Sequence, residues 1–383
     1  MQKNIISKAR LETRAVHLGH EVDSATGAVA PPIYLTTTYE READGSYPKG
    51  YSYSRSDNPN RRRLETVLAD LEGGAAAAAF SSGLAAIAAV FQALQAGDHV
   101  IVPRVIYHGT TKILKDIFLP WKLEISFVDT TKPAEVEAAV RDNTKIIYLE
   151  TPSNPMLGIT DIAAIAAIAH AHGAYCVCDN TWATPVLQRP FAFGADIVVH
   201  STTKYFGGHS DVLGGAVVSR RADTFYERIR HIQEIGGAVP SPFDSWLILR
   251  GVQTLPWRVR TQSEHALHLA EFLQQHSRVE KVYYPGLPDS EGYAIAKRQM
   301  DKAGAMLSFQ VRGDRAAALA VTGRLQIIIR ATSLGGVESL IEHRRSIEGP
   351  ESTTPENLLR LSVGLENVDD LIQNLSEALG STD

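Results

Sequence analysis

The stretch ADIVVHSTTKYFGGHSDVLGG, residues 195–215 of a 383-residue chain, sets one lysine, Lys204, just past a short apolar run and among hydroxyls and glycines. Ile197, Val198 and Val199 form the continuous β-branched run expected of a strand covered on both faces. An ammonium is costly to desolvate, so burial behind such a strand favours the neutral amine, the form that condenses with an aldehyde. Ser201 and Thr203 precede Lys204 at alternate positions, and in an extended chain both hydroxyls point the same way, placed for phosphate oxygens. The same lysine also reads as a loop residue that snorkels to water. Residues elsewhere decide between the two.

Working outward, short β-rich runs recur at HVIVP (99–103), ISFVD (125–129), KIIYLE (145–150), YCVCD (175–179), DIVVH (196–200) and GGAVVS (214–219). Between two of them TDIAAIAAIAHAHG carries a helical Ile162, Ile165, Ile168 stripe, which is core. Leu64, Val67, Leu68 and Leu71 fall at helical spacing from about Asn60, and a second helix runs from Gly83 to about Gln95, stopped by Gly97-Asp98. Strands alternating with helices give an α/β fold: a mainly parallel sheet covered on both faces, with ligands at the carboxyl ends of its strands. A helical stretch from Asp244 to Gln275, interrupted by Pro256, leads to strands near AMLSFQV, QIIIRA and LLRLSVG and a last helix, VDDLIQNLSEAL. Three regions are expected: an irregular N-terminal arm over 1–59, a cofactor-binding domain over 60–245 and a smaller α/β domain over 246–383. The run Ala75 to Ala79 suggests close packing.

Composition narrows the function class. A net charge of −5 gives no electrostatic footprint for nucleic acid or an anionic membrane. The start lacks an apolar leader and no segment approaches a membrane span, so a cytoplasmic enzyme of small-molecule chemistry is expected. The two cysteines, Cys176 and Cys178, are expected on opposite faces of one strand as reduced buried thiols, forming neither a disulfide nor a metal site. No metal is expected.

Asp179 ends the YCVC strand at the sheet edge that Lys204 shares, with Thr181 two residues on. A carboxylate there keeps a pyridine nitrogen protonated, and otherwise it is an ordinary N-cap acid. Ser82-Gly83-Leu84 opens a helix whose free N–H groups suit a phosphate, or Ser82 is simply a cap. Arg360, mid-strand between apolar neighbours, requires an anion: the α-carboxylate of an amino acid, or an internal salt bridge. Amine, hydroxyls, carboxylate and helix mouth together describe pyridoxal 5'-phosphate.

Eight ordered blocks, YSYSRSDNP, FSSGLAA, IYHGT, ETPSNP, CDNTWATP, HSTTKYFGGHSDVLGG, SLGGVESL and LLRLSVGLE, resemble the Cys/Met-metabolism family of pyridoxal-phosphate enzymes, which includes cystathionine γ-synthase, cystathionine γ-lyase, cystathionine β-lyase and methionine γ-lyase. The resemblance implies the aspartate-aminotransferase-like type I fold, with Lys204 carrying the cofactor and Asp179 facing its ring nitrogen. It implies that Ser82, Gly83, Leu84, Thr181, Ser201 and Thr203 serve the cofactor, and that Tyr53 and Arg55 reach its phosphate from a neighbouring subunit. Tyr107 would stack on the ring and assist proton transfer, while Asn154, Ser333 and Arg360 hold the ring oxygen and substrate carboxylate. It further implies a homotetramer, a dimer of dimers with shared sites, acting on a small amino acid.

Two departures bear on which reaction is run. Relatives with γ-specific cystathionine chemistry carry acids where this chain has Ser52 and Thr332, and hydroxyls there remove partners for a distal ammonium. His108 follows the stacking tyrosine where methionine γ-lyase has glycine and a reactive cysteine. The basic trio His343, Arg344 and Arg345 in EHRRSIEGPESTTP reads first as a solvated loop, and alternatively as a lining of the substrate entrance that prefers an acidic or uncharged substrate. The resulting expectation is a carbon–sulfur lyase giving 2-oxo acid, ammonia and thiol by β/γ-elimination. The alternatives are γ-replacement on an O-acyl-homoserine and, more remotely, a non-catalytic binding protein that keeps the fold.

Overall fold

The computed structural model describes residues 5–6, 8–349 and 352–380. Its alternating apolar runs assemble into a seven-stranded sheet of order β1-β7-β6-β5-β4-β2-β3. The strands are β1 Ala76–Phe80, β2 His99–Pro103, β3 Glu124–Val128, β4 Thr144–Glu150, β5 Tyr175–Asp179, β6 Ile197–His200 and β7 Gly215–Ser219. From β3 to β6 the pairing is parallel, while β7 runs antiparallel to both of its neighbours. β5 and β6 are buried almost throughout because helices cover both faces, which is why their sequences are continuous rather than alternating.

A second sheet of order β10-β11-β12-β9-β8 comprises β8 Val279–Tyr283, β9 Met306–Val311, β10 Ile329–Arg330, β11 Leu340–His343 and β12 Leu358–Ser362. All its pairs are antiparallel except β10 with β11. Leu269 and Leu273 of the helix Leu255–Gln275, together with Leu371 and Leu375 of the helix Val368–Leu379, bury against Leu307, Phe309 and Leu361 of this sheet. The last helix forms where its sequence dictates. The Asn367 side chain accepts from Asp369 N, Asp369 and Asp370 complement the positive end, and the apolar residues fall on one face.

Several elements differ from the sequence expectation for identifiable reasons. The alanine run is itself a strand, β1, paired with β7, buried from Ala77 onward and packed against the helix Pro59–Glu72. Alanine has weak strand propensity, so packing rather than propensity decides its conformation. β8 and β11 were not anticipated, because Glu280, Lys281 and Glu342 interrupt their apolar pattern. QIIIRA contributes only the exposed edge pair Ile329–Arg330. The N-terminal region is not wholly irregular: Leu11–His17 is helical, with Leu11 and Ala15 in the main core and Arg14 Nη1 2.7 Å from Asp70 Oδ1.

Pro256 does not interrupt a helix. It opens one, Leu255–Gln275, after Pro242–Val252 has ended, because proline is tolerated in a first turn. A division at 245/246 therefore passes through the helix Pro242–Val252, which packs on Pro59–Glu72. Cys176 and Cys178 share one apolar cluster while Val177 lies in the other, since residues two apart on a strand return to the same face. Both are free thiols. Among the described residues no helix is long and apolar enough to cross a membrane.

Gly215, at the start of β7, is the tightest approach in the large sheet. A Cβ there would collide with the Ser82 carbonyl, which is backbone and cannot swing aside. Gly215→Ala is expected to destabilise the chain by about 1–3 kcal/mol through overpacking. Gly236→Ala, at a helix end with open space around it, should leave the midpoint of a thermal melt unchanged within about 0.5 kcal/mol. Equal melts for the two variants would contradict this account of the β7 contact.

Candidate active site

Parallel pairing brings three chemically rich strand ends to one edge. β4 ends on Glu150 and β5 on Asp179, which are register partners, and Asp179 in turn pairs with Val199 of β6. The chain leaving β6 passes through Ser201 and Thr203 to Lys204, whose Nζ lies 3.0 Å from the Ser333 hydroxyl of the second sheet's approach loop. Around these residues is a cavity of about 280 Å³. It lies at the seam between the two sheets, where a crevice beyond strand carboxyl ends is expected.

One end of the cavity is built for an anion. Ser82 caps the helix Gly83–Gln92 through Ala85 N, leaving the Gly83 and Leu84 N–H groups at a helix mouth with no preceding turn to satisfy them. Gly83 lets Ser201 sit against this mouth, because a Cβ there would lie 2.7 Å from Ser201 Cβ. Thr203 also reaches the wall, but its hydroxyl is engaged by Gly214, donating to the carbonyl at 3.1 Å and accepting from the N–H at 3.0 Å. Thr181 accepts from Ser201 N at 2.9 Å and so fixes that loop.

Deeper, Asp179 accepts from Thr181 N at 2.9 Å and from the Tyr148 hydroxyl at 3.3 Å. Burial pushes its carboxyl above the ordinary range. Glu150 sits beside it, raised to about 8 by burial and then by the Asp179 charge. Its two oxygens accept from Tyr107 N at 2.9 Å and Asn154 N at 2.8 Å. One side chain thereby holds the two loops that carry Tyr107 and Asn154. The Tyr107 ring covers Gly109 and is 42% exposed, on the open side of the cavity. Burial, reinforced by the Arg360 charge, brings the Lys204 ammonium down to about 8.

The opposite end is a buried chain of alternating charge. Arg360 Nη1 donates to Asn154 Oδ1 at 3.0 Å, and its Nη2 donates to Glu342 at 2.8 Å and to the Ser333 carbonyl at 3.3 Å. Glu342 also accepts from Arg344 Nη1 at 2.7 Å and from the Thr332 hydroxyl at 2.5 Å. Although burial pushes the Glu342 carboxyl up, Arg360 and Arg344 hold it below its ordinary value. Ser333 adopts φ 136°, a strained conformation that its hydroxyl and carbonyl contacts on either side stabilise.

The structure thus gathers Ser82, Gly83, Leu84, Tyr107, Asn154, Asp179, Thr181, Ser201, Thr203, Lys204, Thr332, Ser333 and Arg360 around one cavity. Ser52, Tyr53 and Arg55 are not among them: Arg55 donates to the Glu234 carbonyl at 3.0 Å and Tyr53 is exposed. The basic trio is not a solvated loop. His343 and Arg344 are 5% and 3% exposed, because Glu342, Glu348, Ser346 and the Glu356 carbonyl supply buried partners. Sequence reasoning also missed Glu150, although it ends a predicted strand at the same edge as Asp179.

The donor set fits a phosphorylated aromatic aldehyde: an amine near neutrality, a buried carboxyl facing it across the cavity and a helix mouth for the phosphate. Residues 12–380 match the model of the family described as Cys/Met metabolism PLP-dependent enzyme. The chain is 46% identical over 377 residues to a cystathionine beta-lyase of Lactococcus lactis subsp. cremoris, covering 96% of this chain and 98% of that one. It is 45% identical over 374 residues to a cystathionine gamma-synthase of Mycobacterium tuberculosis, covering 96% of each. Among solved structures it resembles apo CalE6, a methionine gamma lyase from Micromonospora echinospora, with TM-score 0.93, 40% identity and 98% and 100% of the two chains covered. Matched to that family over residues 12–380, the chain belongs to the Cys/Met-metabolism family of enzymes that depend on pyridoxal 5'-phosphate.

Proposed function

We propose that the chain is a carbon–sulfur lyase that eliminates a thiol from a sulfur-containing amino acid, leaving a 2-oxo acid and ammonia. The observation that carries this reading is the Lys204 amine, held inside the cavity at 3.0 Å from Ser333 and flanked by Asp179 and Arg360. When bound, the cofactor supplies a protonated aromatic ring that accepts the electron pair freed at the substrate's Cα. Asp179 would keep that ring nitrogen protonated, and Gly83, Leu84 and Ser201 would hold the phosphate, with Ser82 and Thr203 shaping its walls. Arg360, with three of its five donors taken by Asn154, Glu342 and Ser333, offers the remaining two to the α-carboxylate.

With the carboxylate fixed there, Cα faces Lys204, whose neutral amine takes its proton. For sulfur on Cβ the C–S bond then breaks with its electron pair on sulfur, and for sulfur on Cγ, as in methionine, a Cβ proton must be removed first; a proton from the Tyr107 side completes the thiol, and water hydrolyses the released enamine. Tyr53 and Arg55 are assigned to the site of a neighbouring subunit in a homotetramer, consistent with their exposure in the single chain. A cytoplasmic setting suits the two free thiols. A second reading, γ-replacement on an O-acyl-homoserine, draws support from the relative named cystathionine gamma-synthase. Against it, replacement brings in a second amino acid with its own ammonium, and both oxygens of Glu342 are already occupied.

Two experiments test the reading. Offered methionine and cysteine in turn, the enzyme should release oxo acid in step with ammonia. Lys204→Ala should lower that rate by about 10²–10⁴-fold or more, as loss of a positioned base does. Thiol transfer to an O-acyl-homoserine without oxo acid formation would favour the second reading instead. In the second experiment, cofactor-free protein is mixed with pyridoxal phosphate across pH 6 to 10 and reduced with borohydride. The initial rate of pyridoxyl labelling at Lys204 should rise with pH around a midpoint near 8, because the folded site lowers the amine. A midpoint near the ordinary lysine value would contradict the burial argument.

A further inference from the structure

Arg344 has no part in the chemistry above, yet it lies against the inner cavity with its side chain 4% exposed. Its Nε and Nη2 lie 3.1 Å from Glu348 Oε1, and its Nη1 lies 2.7 Å from Glu342 Oε2. Glu348, at the end of the short helix Arg345–Glu348, is itself anchored: its other oxygen accepts from the Ser352 and Thr354 hydroxyls at 2.6 Å. Glu348, Ser352 and Thr354 line a neighbouring cavity of about 690 Å³. The Arg344–Glu348 pair, beside Asn154, which lines both, therefore forms part of the partition between the two cavities. A substrate whose α-carboxylate rests on Arg360 must run its side chain toward this partition or away from it.

A guanidinium has five N–H donors and no acceptor, and three of those on Arg344 are directed at Glu342 and Glu348. Two remain. The acids beside it are largely engaged already: Glu342 accepts from Thr332, Arg344 and Arg360, while Glu348 accepts from Arg344, Ser352 and Thr354. Resting on the lyase reading of the same cavity, we propose that Arg344 selects the substrate by its distal end. The site takes an amino acid whose side chain ends in an anion or other hydrogen-bond acceptor and rejects one that ends in an ammonium. An ammonium there would lose its hydration and meet the like charge of Arg344, whereas a carboxylate would gain charge-assisted bonds.

The test titrates the cofactor-loaded enzyme with three amino acids of matched length and no leaving group: L-2-aminoadipate, L-norleucine and L-lysine. Dissociation constants are read from the cofactor's visible absorption band. Aminoadipate should bind more tightly than norleucine by about 10- to 100-fold, the worth of one or two hydrogen bonds to a charged group, and lysine should bind most weakly. Arg344→Gln should bring aminoadipate and norleucine together, Arg344→Lys should keep their order, and Glu348→Gln, which returns donors to the cavity, should tighten aminoadipate further. Lysine binding as well as aminoadipate, or a ratio unchanged in Arg344→Gln and Glu348→Gln, overturns the selection. Should Arg344→Gln fail to retain cofactor, Glu348→Gln and Arg344→Lys decide alone. A band that responds to none of the three ligands would instead sink the amino-acid reading of the cavity.

Discussion

Parallel pairing of β4, β5 and β6 in register fixes where this protein can do chemistry. Because Glu150, Asp179 and the chain beyond His200 end at one level, two carboxyl groups and a lysine are brought out of water side by side. Each would be unfavourable alone in such a place. The surroundings supply what each lacks: the backbone N–H groups of Tyr107 and Asn154 face Glu150, Thr181 N and the Tyr148 hydroxyl face Asp179, and the Ser333 hydroxyl faces Lys204. The perturbed ionisation of all three follows from burial before any neighbour is considered.

The second sheet completes this arrangement. Arg360 comes from β12, mid-strand, and crosses the seam to Asn154, while the Ser308 hydroxyl of β9 donates to the Pro155 carbonyl at 2.7 Å. Gln262 reaches the Gly336 carbonyl at 2.6 Å, and Arg258 spans the Tyr205 and Gly251 carbonyls. These polar bridges meet backbone groups on both sides of the cavity, so the two sheets cannot shift without exposing buried donors. Specificity is then a question of what the second sheet presents, and chemistry of what the first one holds.

How much of this could be read in the sequence depended on how local the determining physics is. Lys204, Asp179 and Arg360 were legible because each breaks an apolar pattern at a strand end or middle, and a charge there demands a partner. Glu150 obeys the same rule at the end of KIIYLE, where a charged residue passes for the strand's solvent-facing terminus. The trio His343 to Arg345 misled because density of charge normally means solvent; its partners Glu342 and Glu348 stand in the same segment, but only folding aims them inward. Ala76–Phe80 was opaque for the reverse reason, since alanine declares nothing about the strand that crowding imposes on it. Ser52, Tyr53 and Arg55 lie outside the cavity of a single chain.

The contact between the Lys204 amine and the Ser333 hydroxyl joins a residue of one sheet's edge to a strained loop of the other. The lysine amine donates to the Ser333 hydroxyl, so whenever the lysine is occupied elsewhere that oxygen is left without the donor it holds here. The contact ties the loop that carries Ser333 to the edge of the other sheet through a single donor at 3.0 Å.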